Sequence, residues 1–545
     1  MTINRTMLGG CILLIVAAIA SSASEPISEQ VSTPNRLKQD QAVSLRFFGS
    51  TSADLLTREL DESFQGVLEN NFVTEPGKGF PAGFVNASLP GFPWAGTMWT
   101  RDGGTFMREL VMRGYYQHAA LLAECLMDLA HKNEQGFYAF PEYFKGSTAG
   151  PGPSTELDGT ASVIIGMVLL WERLPDGDPA KSRIGAFLSQ DASPIAYLKS
   201  LLKSSPLVAG SGEFGCGVDI PGECYNVVQN NLARLALLAA AKMARESGKS
   251  TSAEENLRLA NKIQDGMEKY LVDKDGSWIW CIDVHTMRPD PAVIDSVPNR
   301  GFGGMNGVAS MYADVLGLQP LASQWNGIGP SEKTFQRLYN TPLRKTEFTH
   351  YGIWTQFDLR GGGVLASPSY GQGYAIQVML LFDKLAMAEK ALDWLATATY
   401  SPIPEYKLHR ASPYYFYERM YSPDAVGKLA LEEGCGALNL VNVSEPLKVS
   451  RLMLGVDDSS LETVQIIPRI PDSWKGVEAR NWPIRTRSGE VRAEILFEHK
   501  GTGGEFRLKL SPGQAIEDLK IRMPSKDGFV WREAKQARSA HFVTQ

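Results

Sequence analysis

The chain has 545 residues, of which 43% are hydrophobic and 21% are charged, and its formal net charge is −6. The hydrophobic fraction is that of a folded globular protein and excludes a chain that is mostly disordered. The small acidic excess, without a block of Lys and Arg, argues against a nucleic-acid-binding protein, whose affinity depends on clustered positive charge. The 11 Trp and 18 Tyr residues supply the flat aromatic faces that carbohydrate sites use.

The N-terminus has the order of a secretory signal peptide. A positive charge at Arg5 precedes an apolar run over residues 7–20, and small residues follow at 21–23. The run is shorter than the roughly 20 residues of a membrane-spanning helix. We therefore predict a signal peptide over residues 1–24 and a secreted or periplasmic protein, with an uncleaved anchor as the alternative. No other segment has the composition of a membrane span.

The cysteines that follow the predicted signal peptide are few and odd in number, so disulfides are not expected to define the fold. Cys216 and Cys224 are able to pair across the loop between them, and two unpaired buried thiols are the alternative. No CxxC or HExxH motif occurs, and the 7 His residues lack the spacing of metal ligands. The sequence therefore predicts neither a bound metal nor another cofactor.

Residues 25–51 are polar and unpatterned, which predicts an N-terminal arm. Between 52 and 455, helical hydrophobic periodicity alternates with loops rich in Gly and Pro. The periodicity predicts helices over 106–129, 161–174, 227–244, 256–271, 304–315, 374–396 and 437–454. Residues 163–170 and 235–241 are apolar nearly all round, whereas 254–271 is amphipathic. Buried helices that alternate with one-sided ones indicate an inner layer enclosed by an outer layer.

The pattern changes after Leu454. Residues 463–467, 491–497 and 506–510 alternate apolar with polar side chains, and Gly and Pro turns separate them. This alternation predicts half-buried antiparallel strands. We therefore predict a helical domain over residues 52–455 and a small β-sandwich over residues 456–545 that packs on it.

Function is expected in the loops that precede the buried helices, because the loops at one rim of a helical ring surround a funnel. The first such loop carries Trp94 and Trp99, whose rings are able to stack on a sugar. Arg101 and Asp102 follow, and this pair is able to form charge-assisted hydrogen bonds to vicinal hydroxyls. The alternative is that Asp102 is only a helix N-cap with Arg101 as its partner.

A second loop leads into the apolar helix predicted over 161–174. It carries Glu156 and Asp158, and either side chain is able to face the funnel. Capping of the helix explains both residues equally well.

Two further loops carry candidate catalytic acids. Asp219 and Glu223 lie in a Gly-rich loop beside apolar side chains. Such surroundings disfavour the charged carboxylate and raise its pKa, which is what a general acid needs. Glu405 in a turn framed by Pro, and Glu418 in a tyrosine-rich stretch, are able to activate a water. Ordinary surface acids on loops are the alternative for each pair.

The segment that ends with Trp99, Arg101 and Asp102 resembles the Trp-x-Arg-Asp motif of glucoamylase-type and related six-hairpin glycosidases. The resemblance implies a mostly α fold, an (α/α)6 toroid, in which the Arg-Asp pair binds the sugar at the non-reducing end. Residues 156–161 resemble the segment that opens the next inner helix of that family. The closing helix and the strands after it resemble those of rhamnosidase-type relatives.

The same resemblance implies catalytic roles. The segment around Asp219 is similar to the one that holds the general acid, although the family has Glu where this chain has Asp, and Glu223 is the alternative. Residues 403–406 are similar to the Pro-Glu segment that bears the general base, which points to Glu405. An inverting reaction then requires the two carboxyl groups to lie about 6.5–9.5 Å apart.

We therefore predict a secreted, exo-acting glycoside hydrolase whose substrate is an oligosaccharide or a glycoside, and no nucleic-acid partner. One alternative is an α-L-rhamnosidase-like enzyme. A second is a polysaccharide lyase or sugar epimerase, for which His285, His350 and His409 are candidate bases. A third is a carbohydrate-binding protein without activity. The sequence gives neither the sugar and its linkage nor an oligomeric state.

Overall fold

The computed structural model describes residues 43–92, 94–150, 155–210, 224–274, 279, 281–289, 355–358, 364–366, 370–400, 412–416, 419–421, 430–432 and 437–545. The helix predicted over 304–315 lies outside these residues. Within the described part of the chain, no helix has both the length and the apolar character of a membrane span.

The described part of the chain is rich in helices. Their bounds are α1 (Thr51–Gly66), α2 (Thr100–Met112), α3 (Tyr116–Leu129), α4 (Leu157–Arg173), α5 (Pro179–Ser189), α6 (Pro194–Leu201), α7 (Val227–Glu246), α8 (Ser250–Tyr270), α9 (Tyr370–Leu381), α10 (Leu385–Tyr400) and α11 (Leu440–Leu454).

Two of the predicted helices are each divided into a pair. The helix predicted over 106–129 breaks between α2 and α3 at Gly114, where φ is 78°. The helix predicted over 374–396 breaks between α9 and α10 at Asp383, where φ is 55°. A left-handed residue ends the helical hydrogen bonding and lets the chain reverse, and apolar periodicity alone does not register it.

The helices differ in burial as the periodicity predicted. Residues 163–170 of α4 and 235–241 of α7, which were predicted to be buried on every side, are all buried except the half-buried Leu169 and Leu238. In α8 the buried residues recur at helical spacing along one face, from Ala253 through Leu259 and Ile263 to Met267. The distinction between fully buried and one-sided helices is therefore confirmed for the described helices.

The buried helices pack side by side in the order α9, α11, α2, α4, α7. Helices α2 and α4 run parallel, because later residues of α2 contact later residues of α4. A β-carbon at Gly159 would lie 2.2 Å from Oγ1 of Thr100, and one at Gly166 would lie 3.1 Å from Sδ of Met107. The N-terminal ends of α2 and α4 therefore lie at the same end of the helix pair.

The described strands have these bounds: β1 (Ser44–Phe48), β2 (Thr97–Trp99), β3 (His131–Lys132), β4 (Tyr138–Ala139), β5 (Tyr143–Lys145), β6 (Thr148–Ala149), β7 (Cys224–Asn226), β8 (Cys281–Asp283), β9 (Thr355–Asp358), β10 (Val364–Ala366), β11 (Arg419–Tyr421), β12 (Ala430–Glu432), β13 (Val456–Asp457), β14 (Val464–Ile466), β15 (Gly476–Thr486), β16 (Gly489–Lys500), β17 (Gly503–Leu510), β18 (Ile516–Ser525), β19 (Gly528–Ala537) and β20 (Ser539–Val543).

Two sheets form the C-terminal region. One has the order β1-β15-β16-β17-β20 and is antiparallel throughout, and the other has the order β13-β14-β18-β19. The predicted strands at 463–467, 491–497 and 506–510 are confirmed. The prediction that the pairing is antiparallel is wrong for one pair, since β14 and β18 run parallel. Strand β1, from the segment predicted as an arm, pairs with β15 at the edge of the first sheet.

The C-terminal ends of α4 and α7 contact this region through ion pairs. Arg173 at the end of α4 donates two hydrogen bonds to Asp458, at 2.7 and 2.8 Å. Arg485 on β15 pairs with Glu246 at the end of α7, at 3.0 Å. Burial favours the neutral acid, but the guanidinium of Arg173 prevails and holds the pKa of Asp458 below its usual value. The opposite, N-terminal end of α4 carries Asp158, and the N-terminal end of α2 carries Arg101 and Asp102.

Candidate functional site

The predicted sugar-binding residues gather at the N-terminal ends of α2 and α4. Trp94 and Trp99 precede α2, Arg101 and Asp102 lie in its first turn, and Asp158 lies in the first turn of α4. The four predicted catalytic acids lie outside the described residues: Asp219, Glu223, Glu405 and Glu418. Their separation and their assignment to acid and base therefore stay predictions.

Arg101 is the centre of a buried charge cluster. Its Nη1 lies 3.4 Å from Oδ2 of Asp158, and its Nε lies 3.5 Å from Oδ1 of Asp102. A third carboxylate, that of Glu156, lies 3.9 Å from the same Nη1. All four side chains are buried, with Arg101 at 6% exposure and Asp158 at 0%. Carboxylates from both parallel helices thus hold one guanidinium in place.

The N-terminal turn of α4 is fastened to that of α2 through Thr100. The Thr100 hydroxyl donates to the carbonyl oxygen of Pro141 at 2.7 Å and lies 3.5 Å from Oε2 of Glu156. Any β-carbon at Gly159 would lie 2.6 Å from the same Oε2, so only glycine allows the approach. The side chain of Glu156 is therefore packed against α2 rather than directed to solvent.

Neither Asp102 nor Glu156 acts as a side-chain N-cap, although Oδ1 of Asp158 accepts a hydrogen bond from the N–H of Gly159 at 3.0 Å in the first turn of α4. The N-cap of α2 is Trp99, which makes no side-chain capping hydrogen bond, and Asp102 lies inside the first turn. Glu156 occupies the N-cap position of α4, but its side chain makes no capping hydrogen bond either. Asp158 also lies inside the first turn, where an acidic side chain is favoured by the helix dipole. The carboxylates instead surround Arg101.

Three aromatic rings lie beside the cluster. Trp99 and Tyr143 are directly opposite each other in the β2–β5 pair, and their ring centroids are 4.9 Å apart. The ring of Trp94 meets that of Trp99 edge to face at 5.2 Å and lies 6.4 Å from that of Tyr143. All three side chains are half-buried. We call Trp94, Trp99 and Tyr143 the aromatic platform.

Further polar side chains are buried along the inner helices below the cluster. Arg108, two turns after Arg101, donates to the hydroxyl of Thr105 at 3.0 Å. Arg451 on α11 pairs with Glu109 on α2 at 3.0 Å. Burial favours neutral Glu109, but Arg451 prevails and holds its pKa below the usual value. The Arg451–Glu109 pair connects α2 to α11.

Cys224, at the start of β7, is disulfide-bonded. This excludes the alternative of an unpaired thiol at this position. Cys216 lies outside the described residues, so its pairing with Cys224 stays a prediction. In the described part of the chain, no group of three or more His, Cys, Asp or Glu side chains is arranged to hold a metal ion.

No protein-family model matches the chain, and no curated protein matches it in sequence. Among solved structures, a GH78 family rhamnosidase of Bacillus sp. GL1 is similar over 86% of this chain and 41% of its own, with a TM-score of 0.51 and 15% identity. An α-L-rhamnosidase from Dictyoglumus thermophilum is similar over 92% of this chain and 50% of its own, with a TM-score of 0.54 and 12% identity. The chain thus spans half or less of these two structures.

Glucoamylase from Saccharomycopsis fibuligera is similar over 74% of this chain and 96% of its own, with a TM-score of 0.50 and 13% identity. The chain has the fold of the six-hairpin glycosidases. The Trp-x-Arg-Asp motif that carried the sequence resemblance lies at the start of α2, beside the start of the parallel helix α4. The likeness at this identity concerns the fold alone.

Sequence reasoning gave too little weight to two residues of the candidate site. Glu156 was considered only as an alternative to Asp158, whereas both carboxylates face Arg101. Tyr143 was not singled out, because it lies 44 positions after Trp99 and becomes its neighbour only through strand pairing. The available sequence signal was the aromatic-rich run from Tyr138 to Phe144, because aromatic side chains are enriched in strands.

Proposed function

We propose that the protein is an exo-acting, inverting glycoside hydrolase that removes the terminal sugar of an oligosaccharide or glycoside. The observation that carries the proposal is the immobilised Arg101, beside the half-exposed aromatic platform, at the shared N-terminal end of α2 and α4. Flat apolar faces next to fixed polar groups match a sugar ring, which has apolar faces and hydroxyls at its edge.

The packing order of the buried helices supports this proposal. The order α9, α11, α2, α4, α7 gives five neighbouring buried helices, and the sequence predicts a further helix over 304–315. We propose that these helices form the (α/α)6 toroid, with the two C-terminal sheets as its β-sandwich. The loops at the N-terminal ends of the inner helices would then surround the substrate.

In the proposed reaction, Asp219 protonates the glycosidic oxygen that leaves, with Glu223 as the alternative acid. Glu405, or alternatively Glu418, accepts a proton from the water that attacks the anomeric carbon from the opposite face of the ring. Arg101 donates hydrogen bonds to ring hydroxyls, and its carboxylate partners limit its movement. This pre-orientation lowers the entropic cost of reaching the reactive geometry.

The N-terminal signal supports secretion, and the disulfide at Cys224 is typical of an oxidising compartment. Expression of the full chain, followed by N-terminal sequencing of the exported protein, tests this part. We expect the exported chain to begin near residue 25. A chain that keeps residues 1–24 and stays with the membrane would contradict it.

The reaction is tested with a panel of aryl and natural glycosides, with NMR of the first anomer released. Hydrolysis from the non-reducing end with inversion of configuration is the expected result. Retention of configuration would contradict the inverting scheme, and an unsaturated product would show a lyase. Rhamnosides belong in the panel, because the similarity to the two rhamnosidases covers more of this chain than the similarity to glucoamylase. Absence of turnover on the whole panel would contradict the proposal.

A further inference from the structure

Helix α1 holds the chain shortly before β11 through one hydroxyl group. The Oγ of Ser63 donates to the carbonyl oxygen of Tyr414 at 3.2 Å and accepts the N–H of Phe416 at 3.3 Å. Ser63 and Phe416 are both 0% exposed, so the hydroxyl is shielded from water. A buried backbone group needs such a partner, and one side chain here supplies it to two groups. Ser63 therefore fixes the path of the chain over residues 412–416.

Two further contacts of α1 support this anchor. The guanidinium of Arg58 lies 3.7 Å from the ring centroid of Tyr414, which is a cation–π contact. A β-carbon at Gly66 would lie 3.0 Å from the hydroxyl oxygen of Tyr415 and 2.8 Å from Cδ1 of Leu438. The chain on both sides of β11 and β12 therefore packs closely on α1.

The chain is held again where it returns after β12. Asn71 lies five positions after the end of α1 and is 0% exposed, and its Nδ2 donates to the carbonyl oxygen of Leu438 at 2.9 Å. Strands β11 and β12 lie between Phe416 and Leu438 in the chain and pair antiparallel. Ser63 and Asn71 therefore fasten both ends of this strand pair.

These anchors are connected to the start of α2. The backbone N–H of Asn86 donates to the carbonyl oxygen of Asn71 at 2.9 Å. The Oδ1 of Asn86 accepts the N–H of Gly96 at 3.0 Å, directly before β2, and β2 ends where α2 begins. The anchored strand pair is therefore tied to the end of α2 that carries Arg101.

From this geometry we infer that Ser63 is a positioning residue for the general base, and that the base it positions is Glu418. Glu418, which lies outside the described residues, follows Phe416 by two positions and directly precedes β11 in the sequence. An anchor at Phe416 therefore limits where the chain places Glu418. The inference rests on the proposed function and deepens it. A general base has to stay within hydrogen-bond reach of its water, and a displacement of about 1 Å costs up to about 100-fold in rate.

The test is Ser63→Ala, which removes both hydrogen bonds to the segment 412–416. Steady-state kinetics are measured on the glycoside that the unchanged protein hydrolyses. We expect kcat to fall about tenfold and KM to change by less than about twofold, because a displaced base weakens the transition state and not substrate binding. Glu418→Gln, which removes the base itself, should abolish turnover.

Thr57→Ala is the matched control on the same helix. The Thr57 hydroxyl accepts the N–H of Phe47 at 2.9 Å and lies 3.1 Å from the carbonyl oxygen of the same residue, so it also holds the backbone of another segment. Phe47 belongs to β1, which carries no candidate catalytic residue. Both substitutions should lower the urea midpoint of unfolding, but only Ser63→Ala should lower kcat.

Equal changes of kcat in Ser63→Ala and Thr57→Ala, or an unchanged kcat in Ser63→Ala, would overturn the positioning role while the proposed hydrolysis stands. Full turnover by Glu418→Gln would overturn it as well, because Ser63 would then fix a segment whose acid the reaction does not use. This second measurement also decides the matter where Ser63→Ala does not fold. Failure of the unchanged protein to hydrolyse any glycoside in the panel would overturn the proposed function, and this inference with it.

Discussion

Arg101 on α2 and Asp158 on α4 face each other at 3.4 Å from the first turns of two parallel helices. Neither residue is near the other in the chain, and both are buried. Their contact depends on how closely the two helices approach, and the approach depends on glycines at the interface. Two of the predictions below concern this contact, one concerns the predicted catalytic acids, and one concerns a separate buried acid.

The first prediction concerns Gly104, where α2 touches α4. A β-carbon there would lie 2.5 Å from the carbonyl carbon of Ser162 and 2.6 Å from the backbone nitrogen of Val163. Gly104→Ala should therefore separate the helices, lower the free energy of unfolding by about 1–3 kcal/mol and reduce activity. Urea denaturation and kcat/KM measure the two effects.

Gly103→Ala is the control for this change, one position away on the same helix. Its β-carbon would lie 3.7 Å from the side chain of Met98, which is ordinary van der Waals contact. Alanine is also the better helix former by about 1 kcal/mol. We expect Gly103→Ala to be neutral or stabilising, and equal destabilisation by both substitutions would contradict the close approach of α2 and α4.

The second prediction concerns Arg101→Met, which removes the cation shared by Asp102, Glu156 and Asp158. Breaking a buried charge pair by removing one partner typically costs about 3–5 kcal/mol, because the other charge stays buried. We expect a loss of that size in urea denaturation and a loss of activity. Arg101→Lys should recover part of the stability but little activity, since an ammonium lacks the planar fork of the guanidinium.

Arg183→Met supplies the surface comparison. Arg183 pairs with Asp128, and the two side chains are 44% and 60% exposed. Exposed pairs contribute about 0–1 kcal/mol. If Arg101→Met costs no more than Arg183→Met, the buried cluster does not hold Arg101 as described.

The third prediction separates the candidate acids by leaving-group ability. Asp219→Asn should abolish hydrolysis of a natural glycoside while impairing an aryl glycoside with a good leaving group much less. The reason is that a good leaving group departs without protonation. Initial rates on both substrates measure the difference, with Glu223→Gln as the matched variant four positions away. Full activity of both variants on natural substrates would exclude this loop as the source of the acid.

The fourth prediction concerns Glu59 on α1, which is 0% exposed and whose carboxyl oxygens have no hydrogen-bond partner among the described residues. Burial raises its pKa well above the usual 4.5. The folded protein therefore keeps this proton at pH values where the unfolded chain has lost it. By linkage, stability is fully present below pH 4.5 and falls as pH rises towards the raised pKa.

Glu59→Gln should remove this decrease. The free energy of unfolding of the variant, relative to that of the unchanged protein, should therefore rise with pH. Thermal unfolding at a series of pH values above 4.5 measures the effect. Glu62→Gln is the control on the same helix, because Glu62 is 42% exposed and pairs with Arg58 at 3.6 Å. A parallel pH dependence for Glu59→Gln and the unchanged protein would show that Glu59 is charged in the folded state.

The helical pattern was largely predictable because a helix buried on one side shows a helical apolar period, and a helix buried on all sides is apolar all round. The burial of α4 follows from its apolar residues 163–170, and the strands β16 and β17 follow from their alternation. The breaks at Gly114 and Asp383 were missed, since a single left-handed residue does not disturb the apolar period. The parallel pairing of β14 with β18 was also missed, because partner choice is set by distant segments.

At the candidate site, the sequence by itself determined which residue types are present and in what local order: tryptophans, then Arg101 and Asp102 at a helix start, and Glu156 and Asp158 at the next. Only the tertiary structure decided that both acids of the second helix face Arg101, and that Tyr143 joins Trp99. The reason is physical. Local order follows from short-range propensity and periodicity. A charge cluster between two helices depends on the direction and separation of the helices, and these depend on contacts such as that of Gly104 with Ser162, between segments that are distant in the chain.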